Sequence, residues 1–219
     1  MGFSKYFILF TLFCVVIFAL FPELDIAASS FFYKEGEGFY LGDSFLFAFL
    51  HKRLGVILGV SIVGLLLALL YQLKTKKVLK YFDKKAIGFI LIFLLLGPGL
   101  ITNVFFKEYS GRVRPVHTEI FGGSKAFTPY YSLKGECQTN CSFISGHAAA
   151  GFFFLAFAYV MKSRRIFYVA LGFGVLMALT RVVQGGHFLS DVVFAFIVNF
   201  IVLKVLYFLF YKEEASFDK

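Results

Sequence analysis

Six apolar runs divide the chain, and they restrict its fold more than any motif does. They cover approximately residues 6–21, 54–73, 86–106, 143–161, 166–183 and 192–211. A hydrocarbon layer of ~30 Å is crossed by roughly 20 apolar residues in a helix. In lipid a helix satisfies its own backbone groups, so each run is expected to be helical. The expected fold is therefore all-α, an integral membrane protein of six transmembrane helices. No internal repeat or linker divides it, so residues 1–219 read as a single domain. Composition agrees: 59% of residues are hydrophobic and 16% charged, against about 25% charged in a soluble domain.

The connections set the orientation. Residues 74–85 hold Lys74, Lys76, Lys77, Lys80, Lys84 and Lys85, and residues 162–165 hold Lys162, Arg164 and Arg165. Short basic loops stay cytoplasmic. With six spans both termini are then cytoplasmic, and residues 22–53, 107–142 and the turn around His187 lie outside. The first run ends in Phe21-Pro-Glu-Leu-Asp25 rather than at a small-residue cleavage site, so it reads as a retained anchor. The net charge of +9 forms no solvated stripe, which argues against a nucleic-acid partner. Gly42-Asp43-Ser44 followed by an apolar stretch and Lys52-Arg53 predicts a short interfacial helix before the second span. His51 reads there as an interfacial tip rather than a catalyst.

Three polar clusters stand at the outer ends of the runs. Lys107 and Arg114 flank a helix end, because Pro115 biases Arg114 out of helix. An Arg fork and a Lys point charge suit phosphate oxygens, although membrane-edge cations that snorkel read the same way. Ser145-Gly146-His147 opens the fourth run, where free backbone N–H groups attract an anion and an imidazole moves protons near neutral pH. An ordinary Ser cap beside a hydrogen-bonded His remains an alternative. Arg181-Val-Val-Gln-Gly-Gly-His187-Phe-Leu-Ser-Asp191 joins the fifth and sixth runs. Asp191 there can orient the imidazole of His187 for attack or serve only as a helix-start acid. The conjunction of three cations, two His and one carboxylate on one membrane face favours a site, since charges at membrane depth are usually functional. Two His and a carboxylate could also be read as metal ligands. Three neighbouring cations would repel a divalent metal and suit a phosphate dianion, so no metal and no cofactor are expected. A transporter with a His/Asp relay is the non-enzyme alternative, but no polar path continues through the other runs. Cys137 and Cys141, on the outer side, are expected to form a disulfide, which an oxidising compartment allows.

Lys107, Arg114 and Pro115, then Ser145, Gly146 and His147, then Arg181, His187 and Asp191 resemble the three motifs of the type 2 phosphatidic acid phosphatase superfamily. Ile144 stands where that family usually has Pro, and Thr180 where it usually has Ser. More locally, Phe21-Pro-Glu-Leu-Asp25, Gly97-Pro-Gly-Leu, residues 137–143 and residues 184–194 look like the lipid A phosphatases of Gram-negative envelopes, nearest the 4′-phosphatase branch, with the 1-phosphatases close. The resemblance implies a metal-independent phosphoric monoester hydrolase of the bacterial inner membrane, with its active site on the periplasmic face. It implies His187 as nucleophile, Asp191 as its orienter and His147 as acid and base. Lys107, Arg114, Arg181, Ser145 and Gly146 would bind the phosphate. The partner is a membrane lipid phosphate in the bilayer; no nucleic acid and no obligate protein partner are implied. Phosphatidylglycerophosphate, undecaprenyl diphosphate and a lipid phosphotransferase reaction are alternatives.

Overall fold

The computed structural model describes residues 4–132 and 135–217. Helix α1 (Lys5–Leu20) stops at Phe21-Pro22, and α2 (Glu23–Ser30) leaves at 90° to it. Pro22 cannot donate to the preceding turn, so the helix breaks there. Next come α3 (Phe45–Thr75) and α4 (Lys84–Tyr109). A long connection then holds two short turns, Pro115–His117 and Glu119–Phe121. The chain returns through α5 (Gly146–Phe152) and α6 (Leu155–Met161), then α7 (Arg164–Val183) and α8 (Leu189–Tyr211). Among the described residues there are helices and isolated bridges but no named strand.

Among the described residues four helices, α3, α4, α7 and α8, are long and apolar enough to cross a membrane, and a fifth span results if the bent pair α1–α2 counts as one. The segment Gly146–Met161 is apolar but shorter. It is tightened at Phe153–Phe154, where Ala156 and Phe157 donate to carbonyls three residues back. The core is aromatic and small by turns. Phe89, Phe93, Phe153, Leu203 and Tyr207 pack beside Ala148, Ala149, Ala156 and Ala195, all buried. The small residues of α5 allow close packing on α7 and α8, the way helices associate without water. Inside α4, residues 95–106 are π-helical around Pro98. Proline removes one ladder bond and crowds the carbonyl four residues back, which favours the wider turn. Asn199 of α8 holds this stretch by donating to Thr102 Oγ1 at 3.1 Å.

The interfacial helix expected before the second span does not form. α3 runs unbroken for 31 residues from Phe45, because no Pro interrupts it and Lys52 and Arg53 simply stay exposed. Its length of about 46 Å exceeds the ~30 Å layer, so the first turns of one rod carry His51 beyond the apolar span.

Candidate active site

One end of the bundle gathers the start of α3, the end of α4, the start of α5, the end of α7 and the start of α8. The opposite ends of the same helices carry the basic loops. Three backbone hydrogen bonds pin the polar clusters to one another. Val116 N–H donates to Gly185 O at 3.0 Å, Ser142 N–H to Arg112 O at 2.8 Å, and Ser145 N–H to Asp191 O at 3.2 Å. The turn into α8 needs Gly185, whose φ is +61° and whose Cβ would strike the Phe39 ring. A Cβ on Gly146 would meet the Asn103 side-chain amide, so the start of α5 packs directly against that side chain.

His187 sits in the turn before α8 and is 1% exposed. Its Nδ1 lies 2.7 Å from the Ser142 carbonyl and 3.6 Å from Asp191 Oδ2. A carbonyl only accepts, so Nδ1 carries the proton and Nε2 keeps its lone pair. Burial lowers the imidazole pKa to about 4 against the opposing pull of Asp191, and Arg181 and Arg114 lower it further. The ring is therefore neutral near pH 7. Sequence spacing points to Asp191 as direct acceptor of the ring proton, whereas the carbonyl is nearer. The reason is that Asp191 is already bound. Its Oδ2 accepts from Ser142 Oγ at 2.5 Å and from Phe188 N–H at 2.8 Å, which caps α8, and its Oδ1 accepts from Arg112.

Arg112 is the residue on which this arrangement converges. It is 0% exposed and lies between two carboxylates, Asp191 at 2.5 Å and Asp25 at 2.6 Å. It also donates to Ser190 Oγ at 2.7 Å and to Thr128 O at 3.0 Å. Its guanidinium stacks 4.5 Å from the Phe188 ring. Burial opposes its charge, but Asp191, Asp25 and their hydrogen bonds outweigh that and raise its pKa. Asp25 accepts from Ser190 N–H at 2.7 Å and from its hydroxyl at 2.6 Å, so the break between α1 and α2 is locked to the start of α8. Neither residue stands out in the sequence as part of a site. The only local signal is a cation and an acid set where apolar runs end.

The phosphate-type cations come together as expected. Lys107, Arg114 and Arg181 lie close enough to act on one another's charge, and His147 on Arg181, His187 and Lys107. Asn140 holds two of them: its side chain accepts from Lys107 Nζ at 2.9 Å and its carbonyl from Arg114 at 3.1 Å. Cys137 and Cys141, bridged with Cα atoms 5.6 Å apart, close the short loop that presents Asn140. Arg114 is extended at the helix exit, as Pro115 requires. Ser145 is buried and its oxygen accepts from Ala148 N–H at 3.3 Å, capping α5. Arg181 donates to Gln184 Oε1 at 2.6 Å, and its buried Nε has no hydrogen-bond partner. Among the described residues no group of three or more His, Cys, Asp and Glu side chains converges as metal ligands would.

His51 must be moved from the membrane edge to the site. Its ring stands 4.5 Å from that of His147, edge to face, and Nδ1 lies 3.2 Å from Arg181. Gln184 reaches across to the turn before α3 and to its first turn, donating to Gly42 O at 3.2 Å and Phe47 O at 3.4 Å. Replacing His51 with Ala is expected to lower any rate this cluster supports about tenfold, the effect of removing one hydrogen-bond partner from Arg181. Steady-state phosphate release measures it; an unchanged rate would return His51 to a connector.

The profile of the PAP2 superfamily matches residues 87–215. The "Lipid A 4'-phosphatase" of Francisella tularensis subsp. novicida (strain U112) is 38% identical over 211 residues, 92% of this chain and 93% of that one. A "Lipid A 4'-phosphatase" of Rhizobium leguminosarum is 44% identical over 117 residues, 52% of this chain and 50% of its own. A "Lipid A 1-phosphatase" of Rhizobium johnstonii (strain DSM 114642 / LMG 32736 / 3841) is 35% identical over 108 residues, 49% of this chain and 41% of its own. No solved structure gives a significant match. All three clusters fall inside the matched region, and the chain belongs to the PAP2 superfamily.

Proposed function

We propose that this chain is a membrane lipid phosphatase that hydrolyses the 4′-phosphate monoester of lipid A through a phosphohistidine. The observation that carries the reading is His187: a neutral, buried imidazole with Nδ1 fixed on a carbonyl and cations gathered beside it. Lys107, Arg114 and Arg181 take the phosphate oxygens, helped by the Ser145 hydroxyl and the Gly146 N–H. The unmade bond of Arg181 Nε suits such an oxygen. His187 Nε2 attacks phosphorus and the bond to the lipid oxygen breaks, while His147, which takes up a proton when the phosphate dianion offsets the neighbouring cations, gives that proton to the leaving oxygen. His147 then takes a proton from water, whose oxygen displaces His187 and releases phosphate. Asp191 and the Ser142 carbonyl favour the imidazolium that forms. Fixed cations aimed at developing charge supply the largest share of such catalysis.

The choice of lipid rests on the relative that is similar over nearly the whole chain. The chain works as one domain with six spans: the four long helices, the bent α1–α2 pair and the short Gly146–Met161 segment. In this reading both termini are cytoplasmic and the site lies on the periplasmic face of the inner membrane, which the tendency of short basic loops to stay inside supports.

Incubating the purified protein with a panel of lipid A, phosphatidic acid, phosphatidylglycerophosphate and undecaprenyl diphosphate, with mass spectrometry of the products, tests this. The expected product is lipid A lacking the 4′-phosphate, formed equally after exhaustive chelation. Loss of the 1-phosphate, preference for another lipid, or a metal-restorable loss of activity would each contradict one part of it.

A further inference from the structure

Beside the phosphate cluster, on the open side of Arg114, lies a cavity of about 710 Å³. Arg114, His117, Lys125, Glu136, Gln138 and Asn140 line it. Two walls enclose it, and both are tied down by the backbone. In one, Ser124 and Lys125 N–H donate to His117 O at 3.2 and 3.1 Å, and Glu119 N–H donates to Lys125 O at 2.9 Å. That tight loop sets His117 and Lys125 side by side. The other wall is the loop closed by the Cys137–Cys141 bridge, anchored by Cys137 N–H donating to Gly111 O at 3.0 Å. The walls are joined to each other: Lys125 Nζ donates to Glu136 O, and Ala126 N–H to Glu136 Oε1, each at 3.3 Å.

The lining differs from that of the other cavities. Those beside α1 and between α3 and α4 are almost wholly apolar and suit acyl chains or neighbouring lipid. This one offers two fixed cations, a His, a carboxylate and side-chain amides. Its size falls within the ~300–1,000 Å³ of small-molecule sites. Arg114 and Asn140 belong both to this cavity and to the phosphate cluster, so the two share a wall. A lipid whose phosphate sits on Arg114 therefore has its adjoining headgroup at the mouth of the cavity. A headgroup that fills it must be bulky, rich in hydroxyls and amides, and able to present an anion to Lys125 and His117.

We propose that this cavity is the headgroup subsite for a phosphorylated amino-sugar disaccharide, placing the glycan of a glycolipid phosphate between the 117–125 loop and the disulfide loop. The proposal rests on reading the neighbouring site as a lipid phosphatase. It makes the cavity, rather than the phosphate cluster, the part that separates a glycolipid from a glycerophospholipid.

Lys125→Ala tests it, since this side chain lies outside the buried core and outside the phosphate cluster. In detergent, KM for lipid A is expected to rise about tenfold in Lys125→Ala, the loss of one charge-assisted contact. KM for phosphatidic acid and kcat on both lipids should stay as in the unsubstituted protein. A parallel rise on both lipids, or none on either, would overturn the subsite. Calorimetry with the deacylated, phosphorylated disaccharide on the His187→Ala protein reads binding without turnover. There the subsite predicts saturable binding weakened by Lys125→Ala, and absent or unaffected binding contradicts it. If no lipid is hydrolysed by the unsubstituted protein, the phosphatase reading falls, while the calorimetric result still decides whether the cavity holds a glycan.

Discussion

Replacing Arg112 with Leu is expected to destabilise the protein by about 3–5 kcal/mol, the range for breaking a buried ion pair from one side. The guanidinium is fully buried between Asp25 and Asp191, and it also holds Ser190 and the Thr128 carbonyl. Leucine leaves two carboxylates in a dry site with no cation, and each must take up a proton or move. The loss spreads beyond the network. Asp25 ties α2 to α8, Asp191 caps α8, and Ser142 carries the carbonyl that holds His187. Thermal unfolding in detergent should show a large fall in Tm, with phosphate release lost in parallel. Arg112→Lys keeps the charge but not the planar fork, so it should retain part of the Tm and little of the activity. A Tm within a degree or two of the unsubstituted protein for Arg112→Leu would mean that the network does not hold the site together.

The sequence made the gathering of one polar cluster legible. Lys107, Arg114, His147, Arg181, His187 and Asp191 stand at the ends of apolar runs, where charge is expensive, and antiparallel helices bring alternate ends together. Pro115 and the Gly185-Gly186 pair also announce the turns that expose them. The supporting half was hidden by distance along the chain. Arg112 and Asp25 meet across 87 residues, and each alone looks like an ordinary helix-end charge. Ser142 contributes a backbone carbonyl, which no side-chain pattern reveals. The place of His51 is hidden because Asp43-Ser44 and Lys52-Arg53 resemble the two ends of a short helix. Nothing in those residues stops a helix, so α3 continues and delivers the ring to His147. In the fourth run a tight turn at Phe153–Phe154, two residues after Gly151, interrupts the regular helix, and the apolar pattern does not mark it.

The second large effect is at His187. With alanine there, no nitrogen remains to accept the phosphoryl group, so phosphate release from lipid A should fall by four orders of magnitude or more, roughly the loss seen when a covalent nucleophile is removed. The fold should persist, because the ring spans one turn and its single close bond is to the Ser142 carbonyl. His147→Ala separates the two steps. It should slow both protonation of the leaving oxygen and hydrolysis of the phosphoenzyme, so that some phosphoenzyme accumulates.

The most direct measurement is a rapid quench of the purified protein turning over lipid A labelled with radioactive phosphate at the 4′ position. The mechanism predicts a protein-bound label that survives alkali and is lost in mild acid, as a phosphoramidate is. The label should map to His187, increase in His147→Ala and be absent in His187→Ala. Turnover without any such label, or a label that persists in His187→Ala, would contradict it.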